Sequence, residues 1–154
     1  MRIDLRVHRK LQHSWLSDVF AANGQVYKVF KRLSDPPADQ RAVEVFDQQC
    51  SAYRRAGEDP ILKQHVPEFY GLFTIEQLVD ENGQDVSEGY RLGACYVIEE
   101  LSGREAKVTA PLITDEYPYI SEMRKVFDAH GIRTEDASVF NYDDPEHFKF
   151  IDFS

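Results

Sequence analysis

Two groups of side chains in this chain could do chemistry together. Near the C-terminal end, Asp136 and Asn141 are separated by four residues, and a strand-like run ends in Ile151-Asp152-Phe153. Carboxylate and amide oxygens delivered by two adjacent turns suit a hard cation, which takes oxygen ligands. Far upstream, Lys28 sits in Val26-Tyr27-Lys28-Val29-Phe30-Lys31, where alternation puts Val26, Lys28 and Phe30 on one strand face. Its ammonium is then held over a partly buried site, where it can steady an anion. The plain alternative is a lysine whose stem covers apolar surface while its head reaches water, and an acidic loop that is merely solvated.

The elements that must position these groups can be inferred from pattern. Residues 3–33 read as antiparallel strands, with Asn23-Gly24 as a tight hairpin turn before Gln25 to Leu33. Ser34-Asp35-Pro36-Pro37 stops that strand, and Asp35 or Asp39 caps the next element. Ala42, Val43, Phe46, Cys50 and Tyr53 recur at helical steps, which predicts a helix over Ala38 to Ala56 with Gly57 as its end. His65 to Phe73 reads as a strand entered through Pro67, and residues 80–89 as a polar loop turning at Asn82-Gly83. Arg91 to Leu101 is a strand whose continuous Ala94-Cys95-Tyr96-Val97-Ile98 core asks for cover on both faces. Residues 104–118 are not assigned, because Pro111 and Pro118 break any long helix. Tyr119 to His130 is helical, stopped by Gly131, and Phe148 to Phe153 is a last strand. Five or six strands with two helices make an α+β domain, an antiparallel sheet first and helices on one side.

Composition bounds the partners. The chain has 154 residues, enough for one domain, and no linker rich in Pro, Gly or Ser divides it. Its 27 acidic and 18 basic side chains give a net charge of −9, which argues against a nucleic-acid surface and allows a basic protein partner. No apolar run approaches the roughly 18 residues that span a bilayer, and the charged start lacks the apolar segment of a signal peptide. The expected compartment is the cytoplasm, with secretion as an effector lacking a classical signal as the alternative. Cys50 and Cys95 fit neither a disulfide framework nor a zinc spacing and are expected as buried thiols.

The order of parts resembles a protein-kinase-like domain: a hairpin, a Val-Tyr-Lys strand, a helix, a strand pair ending in Glu99-Glu100-Leu101, a second helix, then Asp136–x4–Asn141 and Ile151-Asp152-Phe153. Gly131-Ile132-Arg133-Thr134-Glu135-Asp136 is similar to the kinase stretch Gly-Ile-x-His-Arg-Asp, with Thr134 and Glu135 in place of His and Arg. The resemblance implies ATP and Mg²⁺ as cofactors. It implies Lys28 on the phosphates, Asp136 accepting the substrate hydroxyl proton, Asn141 and Asp152 on the metal, and Glu99 to Leu101 as a hinge for the base. Ser14 and Ser17 would supply donors in the phosphate-covering hairpin Leu11–Asp18, which has no glycine. Gln49 takes the inward helix position that usually anchors the lysine, with Asp47 and Glu44 as alternatives. The short Asn141–Asp152 separation implies a trimmed hairpin or Ser138 in place of the amide ligand. In these terms residues 1–101 are N-lobe-like and 102–154 a strongly reduced C-terminal lobe. The expected function is a minimal, effector-like, ATP-dependent kinase of a protein hydroxyl. The alternatives are a pseudokinase-type module binding a protein partner, or an unrelated α+β binding domain. A membrane partner is not expected.

Overall fold

The Asn23-Gly24 pair supplies positive φ angles of 54° and 75°, which a primed turn requires, and so locks the central hairpin. The computed structural model describes residues 1–154, the side chain of His13 excepted. The chain forms two compact units, Met1–Asp47 with Tyr70–Glu100 and Gln48–Phe69 with Leu101–Ser154.

In the first unit, β1 (Arg2–Asp4) is followed by β2 (Arg9–His13), β3 (Ser17–Ala22) and β4 (Gln25–Lys31). Helix α1 (Pro36–Glu58) begins here and ends in the second unit; β5 (Phe69–Phe73), β6 (Gln77–Val79) and β7 (Tyr90–Glu99) return to the sheet. The main sheet has the order β2-β3-β4-β7-β5, and its β2-β3-β4-β7 pairings are antiparallel. Phe30 meets Phe46 of α1 edge to face at 5.5 Å. On the other face Phe20, Tyr27, Val29, Cys95 and Val97 pack with Ile3, Ile75 and Leu78. Side chains of this size contribute about 1.5–3 kcal/mol each when buried. Double cover explains why Ala94 to Ile98 is apolar at every position. Cys50 and Cys95 are both buried, and neither is in a disulfide.

The first strand departs from the antiparallel expectation. β1 pairs in parallel with β6, Ile3 opposite Leu78. It stops at Asp4 because the Asp4 carbonyl accepts the Val7 and His8 N–H groups, while its carboxylate takes the Arg6 side chain at 2.7 Å. Helix α1 is longer than expected at both ends. Asp35 caps it, accepting the Ala38 N–H, and prolines are tolerated in a first turn. At the far end it runs through Gly57, the penalty of about 1 kcal/mol being offset by burial of Tyr53 and Ala56. Residues 62–65 form a 3-10 turn, so β5 starts only at Phe69.

The second unit holds β8 (Glu105–Lys107), α2 (Pro111–Glu116), α3 (Pro118–Ala129), β9 (Ser138–Phe140) and β10 (Lys149–Ile151). Pro111 and Pro118 open α2 and α3, where a missing N–H costs nothing. Gly131, at φ 74°, closes the last turn after α3. The sheet order is β10-β9-β8, antiparallel throughout. An aromatic cluster forms the core. Phe127 lies 4.9 Å from Phe150 and 5.3 Å from Phe153, and Tyr53 lies 5.3 Å from Phe153 and stacks on Phe69. Among the described residues, no helix is long and apolar enough to cross a membrane.

An ion pair closes the end of α3. His130 Nε2 lies 2.8 Å from Asp59, and its Nδ1 faces the Val126 carbonyl at 2.8 Å. The Val126 carbonyl and the Asp59 charge raise the His130 pKa above its ordinary 6.5. The Leu62 and Ile61 N–H groups, with His130, lower that of Asp59. The raised group stabilises the fold below its unfolded pKa and stops doing so as pH rises through the folded one; the lowered carboxyl stabilises above its unfolded pKa and fails as pH falls. Thermal melts should therefore show Tm falling as pH rises from about 6 to 8, and His130→Gln should flatten that slope.

Candidate functional site

Each residue singled out by type belongs to one unit. Lys28, Ser14, Ser17 and Glu99 lie in the first, and Leu101, Asp136, Asn141 and Asp152 in the second.

Lys28 stands in mid-strand, with Val19 opposite on β3 and Tyr96 opposite on β7. Only 9% of it is exposed, and its Nζ lies 5.4 Å from the Phe30 ring centre. The flanking sheet therefore buries the stem on the face that α1 covers, as alternation requires. Glu44 is exposed and paired with Arg41 at 3.7 Å, and Asp47 lines a cavity beside Arg91. Gln49 is buried.

The hairpin serines close their own turn. Ser14 Oγ donates to the Ser17 carbonyl at 2.7 Å and accepts the Ser17 N–H at 3.2 Å. The Ser14 N–H bonds the same carbonyl, and Lys31 Nζ donates to the Ser14 carbonyl at 2.5 Å. Asp18 beneath the turn is 1% exposed and meets Lys31 at 3.4 Å, Lys10 at 3.5 Å and the Tyr90 hydroxyl at 2.5 Å. Burial and the Asp18 charge together push the Tyr90 phenol pKa up. The Ser14 hydroxyl thus serves turn closure, and the Ser17 hydroxyl lies 3.3 Å from it.

Glu99 ends β7 opposite Gln25, and the next N–H, from Glu100, donates to the Gly24 carbonyl at 2.9 Å. The Glu100 carboxylate holds Arg9 at 2.7 Å. Leu101, half-buried, is the first residue of the second unit's C-terminal segment.

In the second unit the β9–β10 register decides which oxygens can meet. Ser138 pairs with Ile151, and Phe140 with Lys149. Asp152 comes directly after Ile151 at one end of this ribbon, whereas Asn141 comes directly after Phe140 at the other. Three residues of strand separate the ends by about 10 Å. Ligands of one Mg²⁺, each at about 2.1 Å from it, must lie within about 4 Å of one another. The register therefore places the Asn141 and Asp152 backbones at opposite ends of the ribbon.

Asn141 has another task. At φ 53° it turns the chain out of β9, its N–H donates to the Arg104 carbonyl at 2.7 Å, and its Nδ2 donates to the Ser102 carbonyl at 3.1 Å. Its Oδ1 packs against Gly103, where a Cβ would lie 1.9 Å away. Gly103 also has a φ of 107°, so both space and backbone require glycine.

At the other end lie Asp136 and Asp152. Asp136 is exposed and accepts from Ser154 Oγ at 3.4 Å, and its carbonyl accepts from Lys107 Nζ at 3.2 Å. Asp152, at φ 61°, donates its N–H to the Tyr53 hydroxyl at 3.3 Å. Its neighbours Phe150 and Phe153 are both buried and fix it from either side. Glu105, opposite Phe140 on β8, adds a carboxylate that no motif or spacing singles out. Though its side chain reaches solvent, desolvation and the Asp152 charge raise its pKa, while Ser138 hydrogen-bonds it. Thr134 is buried and accepts from Arg124 Nε at 3.0 Å.

Among the described residues, no three His, Cys, Asp or Glu side chains gather in a way that holds a metal ion. Asp152 offers oxygen, the ligand type Mg²⁺ takes, without a cluster of three such side chains around it among the described residues. Compared with protein families, with curated proteins and with solved structures, the chain matches none.

The Gly103 contact is directly testable. Gly103→Ala should lower stability by about 2 kcal/mol or more in urea denaturation, from strain at positive φ and the clash with Asn141. Gly57→Ala, in the last turn of α1 with open space around it, should stabilise instead.

Proposed function

We propose that this chain is a pseudokinase-type binding module, a kinase-like domain that engages a protein partner without transferring phosphate. The observation that carries this reading is the fate of Asn141, whose side chain is held by Ser102 and Gly103 at the far end of the ribbon from Asp152. Phosphoryl transfer is almost entirely positioning and charge stabilisation, so displacing one metal ligand by about 10 Å removes most of what the protein contributes. The glycine-free hairpin supports the same reading, since its serine donors serve the turn. The net charge of −9 favours a partner with a basic surface.

Nucleotide remains a compatible ligand. On the first unit, Lys28 would steady its phosphates, with Mg²⁺ beside them, and Glu99 would offer a backbone group to the base. The cation would supply charge neutralisation of the phosphates when bound.

A second reading, the minimal kinase of a protein hydroxyl, is favoured by one observation: Asp136 and Asp152 stand at the same end of the ribbon. In that reading Asp136 orients the hydroxyl and accepts its proton late.

The readings separate on turnover. With γ-labelled ATP, Mg²⁺ and basic acceptor proteins, the wild-type chain should label its substrates and itself no more than Asp136→Ala does. Labelling that Asp136→Ala abolishes, with ATP affinity kept, would overturn the binding-module reading and establish the kinase.

A further inference from the structure

Within the first unit, an open cavity of about 320 Å³ lies between the first half of α1 and the start of β7. Phe46 and Leu92 give it apolar walls, Gly93 leaves part of it open, and Arg32, Arg91 and Asp47 bring charge to it. The volume falls at the small end of ligand pockets.

Arg91 is incompletely used. Its Nη2 is paired with Asp39 Oδ2, and the other Asp39 oxygen accepts the Leu33 N–H at 2.9 Å. Arg91 Nε is buried and has no hydrogen-bond partner among the described residues. A buried donor without an acceptor is costly, and Asp39 is already engaged through both oxygens. A guanidinium edge suits a planar carboxylate, which accepts two parallel N–H bonds once the guanidinium turns to meet it. Arg32 is exposed beside the same cavity and adds a second cation. Asp47 opposes a second negative charge there and disfavours phosphate esters and nucleotides.

We propose that this cavity binds a small monocarboxylate with an apolar body, its carboxylate on Arg91 and Arg32 and its body against Phe46 and Leu92. The site stands independently of any nucleotide chemistry and of the pseudokinase reading.

Phenylacetate is the probe, titrated into the full chain with the arginine Nε–H signals followed by NMR and affinity measured by calorimetry. The Arg91 Nε–H signal should move saturably, and Arg91→Gln should weaken binding by about tenfold or more. Gly93→Leu should weaken it comparably at unchanged Tm, since a Cβ at Gly93 meets nothing within 4 Å. Phenyl phosphate, a dianion, should bind less tightly. Absence of a saturable shift at tens of millimolar phenylacetate would overturn the proposal, as would equal affinity in Gly93→Leu. Equal or tighter binding of phenyl phosphate would overturn the monocarboxylate assignment. Should Arg91→Gln fail to fold, the wild-type Nε–H titration and Gly93→Leu decide the matter between them.

Discussion

The pairing of β9 with β10 is the constraint on which the chemistry of the second unit depends. Three residues on each strand fix the register, and the aromatic cluster of Tyr53, Phe127, Phe150 and Phe153 holds β10 in place. A strand cannot slip by one residue without exposing Phe150 and burying Lys149. The placement of groups at the ends of the ribbon is a consequence of that register. Asp152 is held by the bond of its N–H to the Tyr53 hydroxyl, and Asn141 is held where the 102–104 segment takes its side chain.

The first unit shows a comparable division between chemistry and architecture. Lys28 sits on a sheet buried on both faces, by α1 on one side and by the β1–β6 pair on the other. That cover gives the lysine a rigid strand. The neighbouring hairpin is rigid for a different reason: Asp18 gathers Lys10, Lys31 and Tyr90 beneath a turn closed by two serines. Breaking a buried charge from its partners is costly, so this turn resists rearrangement around a ligand.

Signals in the sequence are legible where the physics is local. Asn23-Gly24 demands a primed turn, the spacing of Phe46, Cys50 and Tyr53 demands a helix, and Gly131 marks its position by accepting a left-handed backbone. Pro111 and Pro118 are legible as breaks, yet each begins a helix, because a proline excludes itself from a helix interior and not from a first turn. Non-local outcomes are not legible. Nothing in Arg2–Asp4 announces a parallel partner at Gln77–Val79, and nothing near Asn141 announces Ser102, 39 residues earlier. The Asp136–x4–Asn141 spacing suggests one site because it counts residues, whereas strand geometry sends the two side chains to opposite ends.

The most direct test of that geometry is urea unfolding of Asn141→Asp, with and without Mg²⁺ and ATP. The substitution keeps an oxygen that can bind metal and removes the Nδ2 donor to the Ser102 carbonyl. If Asn141 serves structure, the variant should lose about 1–3 kcal/mol of stability, and nucleotide with Mg²⁺ should not restore it. An unchanged midpoint, with stabilisation by Mg²⁺ and ATP equal to or greater than in the wild type, would contradict the account.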